Sequence, residues 1–354
     1  MQTLTNGGGR ASNVELLRML SMFLVLYVHA NFSRLGAPTL AQLHAQPADA
    51  TLSVVCEALA VVCVNVFVLI SGWFGIRPKT RSISAFLFQC LFFLVGIYAV
   101  LLLTGQAELS LKGVARCFLM TKENWFPKAY LVLYILAPAL NALVEHSSRQ
   151  QLRRILFFYF LFQTGYDWII NCTGYLSEGY SPLSFFGLYL LARYVRTYQP
   201  RWSQLRARTD AWIYVGLCLL NAGGALAGSI GESIFPHALT RMIRYTNPLV
   251  IAAALFLLLA FTKVKLQSRF INWCAASAFA VFLFHTYPDI SALYFKPLVQ
   301  WLHAQWGAAY FVGVLPVLAG IFFLSVLLDQ LRLALWRRVG DPVVRTIDKW
   351  MERL

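Results

Sequence analysis

Three ionisable residues, Glu15, Arg18 and His29, sit inside the otherwise apolar stretch NVELLRMLSMFLVLYVHANF, Asn13 to Phe32. At about 100° per residue, the eleven-residue step from Arg18 to His29 closes to within about 20° of three full turns. A helix therefore puts both on one face, about 16 Å apart along its axis. Glu15, three residues before Arg18, falls on the same side. Ionisable groups inside a membrane span are costly and usually face a bundle interior, a wet cavity or a functional path. An imidazole there is suited to act as a general base or a nucleophile, and a guanidinium to hold negative charge in a water-poor site. A plainer alternative is a Glu15–Arg18 ion pair at i, i+3 that neutralises itself. It leaves His29 unexplained.

The elements that would carry these residues follow from composition. The chain has 354 residues, 59% hydrophobic and 13% charged. Soluble domains are nearer half apolar and a quarter charged, so an all-α, polytopic transmembrane helix bundle is expected. The run around His29 is too long for a signal peptide and has Arg18 in its core, so it is expected to be an uncleaved first span. Windows of about 20 apolar residues predict about ten spans: 14–32, 54–76, 83–104, 130–144, 155–171, 183–198, 211–230, 247–262, 271–290 and 308–328.

The net charge of +15 does not point to nucleic acid, because Lys and Arg cluster between the apolar runs as membrane topology requires. With the N-terminus inside, the inner segments hold 21 of the 30 Lys and Arg and the outer ones eight, with Arg18 left in a span. That bias predicts both termini in the cytoplasm. Residues 331–354 interleave Leu335, Trp336, Val339, Val344, Ile347 and Trp350 with Arg and Lys, which predicts an amphipathic tail on the inner leaflet after a transmembrane domain at 1–330. The seven cysteines contain no C-x-x-C pair and none of the six histidines has a partner at zinc-motif spacing, so no metal is implied.

Arg18, ten residues, then His29 resembles the signature of the membrane acyltransferase-3 family, integral-membrane O-acetyltransferases acting on bacterial surface polysaccharides. The likeness continues in order: NVFVLISGWFGI to the family's second span, Arg77, Lys79 and Arg81 to the basic cluster after it, NWFPKAYLVLYILAPALNAL to a W-F-L-x-x-Y-x-x-x-P segment, and FAVFLFHTYP to a Y-L-I-H-P element. It runs from about Ser12 to beyond Pro288. Pro127 and Lys128, inserted before Tyr130, are a departure.

The resemblance implies an acyl-CoA donor, foremost acetyl-CoA, and a hydroxyl of a glycan or lipid-linked glycan as acceptor, in a multi-pass protein of the bacterial inner membrane among membrane lipids. His29, in the outer half of the span, would be the general base that deprotonates the hydroxyl, or would carry the acyl group transiently. Arg18, with Glu15 near the cytoplasmic end, would position the donor or stabilise developing negative charge, so that Arg18 and His29 bracket a path for the acyl group and do not form a compact dyad. Arg77, Lys79 and Arg81 would dock the phosphates of coenzyme A, against the alternative of an ordinary positive inner loop. His285 would line the acceptor side with Trp125 and Tyr130, although the aromatics also fit an interfacial belt. Asp167 and Glu57 are acids expected to be buried. The reading from another class is a transporter or flippase for a lipid-linked sugar or small metabolite, with Arg18, Glu15 and His29 as a translocation path. Transporters of that kind usually show inverted repeats with broken spans in matching halves, and none is evident.

Overall fold

The computed structural model describes residues 11–230 and 238–351, and among them every regular element is helical. α1 (Ser12–Ala30) is the stretch carrying Glu15, Arg18 and His29, and after a kink at Asn31 it runs into the four-residue α2 (Phe32–Leu35). α3 (Leu40–Ala45) opens on a capping box in which Thr39 and Gln42 satisfy each other's backbone N–H. α4 (Pro47–Ala60) starts with proline at its first position, where no intrahelical donor is lost. α5 (Cys63–Phe74) continues it after Val61 and Val62.

α6 (Thr80–Leu103) is long and apolar, and α7 (Leu111–Cys117) and α8 (Trp125–His146) follow. Pro127 lies in the first turn of α8, where proline is tolerated, and Lys128 Nζ folds back to the Thr121 carbonyl at 2.9 Å. The departure in WFPKAYL thus begins a helix instead of breaking one. Next come α9 (Arg149–Phe162), α10 (Pro182–Tyr198), α11 (Ala207–Ile230), α12 (Ala238–Met242) and α13 (Pro248–Thr262). Ser148, Ser181 and Asn247 each cap the following helix through the side chain. The chain closes with α14 (Arg269–Ala276), α15 (Ala278–His285), α16 (Pro288–Ile290), α17 (Lys296–Trp306), α18 (Tyr310–Gly313), α19 (Leu315–Leu335) and α20 (Asp341–Met351).

α1 is the hub of the bundle, packed against α4, α5, α13, α14, α15 and α19. Its Leu17, Met22 and Leu26 are at most 1% exposed, inside one large apolar core. α5 lies so close to α10 that a Cβ on Gly72 would strike the Tyr189 carbonyl. A helix face without side chains permits that approach.

Among the described residues, six helical stretches are long and apolar enough to cross a membrane: Ser12–Leu35, Pro47–Phe74, Thr80–Leu103, Leu111–His146, Ala207–Ser229 and Leu315–Thr346. A seventh arises if Arg269–His285 and Pro288–Gly313, bent by 72°, make one span. The architecture is therefore an all-helical membrane bundle with six or seven such spans, against the ten apolar windows. The difference has a physical origin. Window 155–171 falls on α9, which gives way at Gln163 to a wider turn; 183–198 and 247–262 fall on helices of 17 and 15 residues; 271–290 crosses the bend. Hydropathy averages over breaks that a continuous helix does not have.

Candidate active site

Two helix ends build the site. α1 stops one residue after His29, and the groups freed there are taken up by a tight polar cluster. Asn31, 1% exposed, donates through Nδ2 to the Ser53 carbonyl and to Glu57 Oε2, both at 2.9 Å, and accepts from Ser53 Oγ at 2.9 Å. The Tyr310 hydroxyl donates to the Ala30 carbonyl at 2.8 Å, and Tyr27 Oη to the Phe311 carbonyl at 2.9 Å. The expected buried acid Glu57 is 1% exposed and holds the kink that ends α1 through Asn31.

The second end is that of α15, where the chain bends at Thr286–Tyr287 before Pro288. His285 occupies its last position and is 1% exposed. It meets His29 across 256 residues of sequence: His29 Nδ1 lies 2.7 Å from His285 Nε2. His285 Nδ1 lies 2.5 Å from the Val281 carbonyl. A carbonyl only accepts, so His285 Nδ1 carries the proton donated to it. In the neutral pair His285 Nε2 is then an acceptor, His29 Nδ1 donates to it, and the lone pair of His29 is left on Nε2. Phe282 and Phe295 pack their rings around His285 with centroids 6.3 and 5.6 Å away.

His29 is half-buried and lines a cavity of about 450 Å³ with Ser33, Arg34, Glu123, Trp125, Thr286, Ser291 and Lys296. This volume lies within the range of small-molecule sites. Arg34 is held by Nε–H donation to Ser291 Oγ and Nη1–H donation to Ser33 Oγ, each at 2.9 Å. Trp125 is braced edge-on by Tyr180, 4.6 Å between centroids. Below the rim, Arg116 pairs with Asp289 at 2.6 Å and lies over the Tyr287 ring at 5.2 Å.

The other sequence-derived residues lie elsewhere. Arg18 binds Glu15 at 2.5 Å, the i, i+3 pair, with side chains 33% and 11% exposed, and neither lines the His29 cavity. Tyr130 is not on its wall; its hydroxyl shares a 3.2 Å hydrogen bond with Ser71 Oγ and its ring stacks on Phe126. Arg81 pairs with Asp341 of α20 at 2.5 Å. Arg77 and Lys79 are exposed, and the Lys79 backbone is bonded to the Tyr134 hydroxyl. A second, larger cavity of about 820 Å³ opens at the start of α1, lined by Asn13, Trp73, Phe74, Arg196, Lys263 and Lys265 among others. Arg196 lies over the Trp73 ring at 5.0 Å and Lys263 pairs with Asp210. From Trp73 and Phe74 on its lining the chain runs through Gly75 and Ile76 to Arg77.

Asp167, fully buried, accepts from the Thr246 hydroxyl at 2.5 Å and the Glu178 N–H at 3.1 Å, clasping the turn after α9 to the start of α13. It lies outside both cavities. Among the described residues no group of three His, Cys, Asp or Glu is placed to hold a metal. The residues that sequence reasoning missed are Arg34, Glu123, Lys296 and the Val281 carbonyl. Arg34 left a trace, a cation five residues after His29, but counted as an ordinary loop charge. Lys296 was likewise counted among the outer cations, and Glu123 and the Val281 carbonyl gave no local signal.

The family model described as an acyltransferase domain, the acyltransferase-3 model, matches residues 12–329 of this chain. The chain belongs to that family and, with its apolar spans, is a multi-pass membrane acyltransferase. No curated protein and no solved structure matches it.

Proposed function

We propose that this acyltransferase moves an acetyl group from acetyl-CoA, taken from the cytoplasm, to a hydroxyl of a cell-surface polysaccharide or its lipid-linked precursor in the bacterial inner membrane. The observation that carries this reading is the 2.7 Å contact between His29 Nδ1 and His285 Nε2 at the wall of a polar cavity. A base must offer a lone pair and be held in one tautomer. The Val281 carbonyl orients His285, and His285 orients His29, a three-member relay of the kind that activates a hydroxyl nucleophile.

In this mechanism the acceptor hydroxyl donates its proton to His29 Nε2 as its oxygen attacks the thioester carbonyl carbon. The tetrahedral oxyanion collapses, the C–S bond breaks, and the imidazolium returns the proton to the departing thiolate. The imidazolium keeps its Nδ1–H on His285 throughout. Arg34, on the same wall as His29, places a fixed positive charge near the negative charge that develops. Arg18 is assigned to the donor side, where its bond to Glu15 fixes the guanidinium. Arg77, Lys79 and Arg81 are assigned to the phosphates of coenzyme A, next to the cavity lined by Trp73 and Phe74. The positive-inside bias supports placing that end of α1 in the cytoplasm.

Membranes carrying the protein, supplied with acetyl-CoA labelled in the acetyl group, should acquire label covalently on a glycan, and the His29→Ala protein should not support it. Label that crosses the bilayer without becoming attached would refute the assignment in favour of transport.

A further inference from the structure

The cavity at His29 holds more positive charge than it neutralises. Arg34 and Lys296 both line it, and neither has a carboxylate within ion-pair distance among the described residues. The one acid of the wall, Glu123, faces Lys112 at 3.8 Å. Neighbouring acids are engaged as well, Asp289 with Arg116 at 2.6 Å and Asp49 with His303 at 3.0 Å. Two cations therefore line one cavity with neither of them ion-paired to a carboxylate among the described residues.

They differ in kind. Arg34 is fixed: Nε and Nη1 are committed to Ser291 and Ser33, which leaves Nη2 without a protein partner. Ser291 itself is only 5% exposed, so the guanidinium is anchored on a buried hydroxyl. Lys296 is exposed at the first position of α17, with no side-chain partner among the described residues. A rigid fork with a free amino group and a mobile ammonium on the same wall suit an anionic oxygen group, which the fork orients and the ammonium neutralises. Trp125 and Phe282 give the same wall apolar surface against which a sugar ring can lie.

We infer that the acceptor is an anionic saccharide, bearing a carboxylate or a phosphate that Arg34 and Lys296 bind so as to present a nearby hydroxyl to His29. This rests on reading the His29 cavity as the acceptor site. It explains why the unpaired cations share a wall with the base: a neutral sugar would leave both without an ion-pair partner. Charge recognition of this sort sets which acceptor is used and in what register, and leaves the donor untouched.

The test uses the full-length protein in membranes of the cells that express it natively, with acetyl-labelled acetyl-CoA and the endogenous glycan. Labelled glycan fragments should be retained on an anion exchanger. Pretreating the acceptor should separate the two sources of charge: carbodiimide–borohydride reduction of carboxylates abolishes labelling of a uronate, and hydrofluoric acid removal of phosphate abolishes labelling of a sugar phosphate. Lys296→Gln should raise the KM for glycan about 10- to 100-fold, with kcat and the KM for acetyl-CoA unchanged. Arg34→Gln should raise the glycan KM likewise while also lowering kcat, since its charge also faces the developing oxyanion. Label confined to neutral fragments, or labelling that survives both treatments, overturns the inference while leaving the acyltransferase assignment intact. Absence of label from every glycan overturns instead the reading on which this inference rests, that a glycan is the acceptor. A Lys296→Gln effect that disappears in nanodiscs of neutral phosphatidylcholine means that the cations serve lipid headgroups, and also overturns the inference.

Discussion

The two ends of α1 carry similar side chains in different states of completion. At its start Glu15 and Arg18 satisfy each other at 2.5 Å, and Ser12 and Asn13 are bonded to the segment before α14 and to the end of α13. At its end His29 is tied through one nitrogen only, by a partner whose own second nitrogen is tied to the backbone. The first arrangement neutralises its charges within itself; the second leaves a lone pair free at the wall of a cavity. Burial of ionisable groups alone does not separate structure from chemistry. What separates them is whether the hydrogen-bond chain ends inside the protein or in a space that a ligand can fill.

The sharpest way to break this contrast is to remove the open nitrogen. His29→Ala should lower the transfer rate by about 10²- to 10⁴-fold, the usual contribution of a positioned base, without changing the amount of protein in the membrane. Radiolabel transfer per unit of immunodetected protein measures it, and a loss under tenfold would place the base elsewhere.

His285 comes next, as the residue that positions His29. His285→Ala should lower kcat by about 10- to 10³-fold with little change in KM, because a neutral imidazole without its orienting acceptor populates the wrong tautomer and rotamer. His285→Gln, whose carbonyl oxygen still accepts from His29 Nδ1–H, should recover a large part of that loss. A purely structural role predicts that stability falls in both variants and that Gln rescues nothing. Equal defects in the two proteins would count against the relay.

At the other end of the helix the expected effect is on binding. Neutralising Arg77 and Arg81 together should raise the KM for acetyl-CoA by about tenfold or more, as loss of two charge-assisted phosphate contacts predicts, with insertion unchanged. Because Arg81 is bonded to Asp341 at 2.5 Å, Asp341→Asn provides the control: if the pair serves only to dock α20, it should alter stability and leave donor affinity as it was. Donor affinity that stays at the wild-type value in both variants would reduce the cluster to a topology signal.

How much of this was legible beforehand depended on range. His29 and Arg18 stood out because a helical period relates residues a few turns apart, and a charge in an apolar run is visible without knowing the fold. FLFHTYP marked His285 as a candidate, but its bond to His29 spans 256 residues and nothing in local spacing announces it. Arg34 and Lys296 were counted for topology and thereby hidden, since one loop cation resembles another until a cavity brings two together with neither ion-paired among the described residues. The ten apolar windows and the six or seven long helices differ for a related reason: apolar content marks which segments are oily and not where a helix ends, as it does at Gln163 and before Pro288.

The smallest predicted effect tests the closed end directly. If Glu15 and Arg18 are complete in themselves, each single variant, Glu15→Gln or Arg18→Gln, leaves one charge without its partner, and the double variant removes the imbalance. A double-mutant cycle on thermal stability in detergent should then give a coupling of about 0.3 to 1 kcal/mol, typical of an i, i+3 pair that is partly exposed. The same cycle run on the KM for acetyl-CoA sharpens the comparison. A pair that only neutralises itself restores donor affinity in the double variant along with stability. An Arg18 that also meets the donor does not, because removing Glu15 cannot replace a guanidinium. Stability restored with donor affinity still lost is the expected result, and it would give the start of α1 a function that its geometry conceals behind a satisfied ion pair.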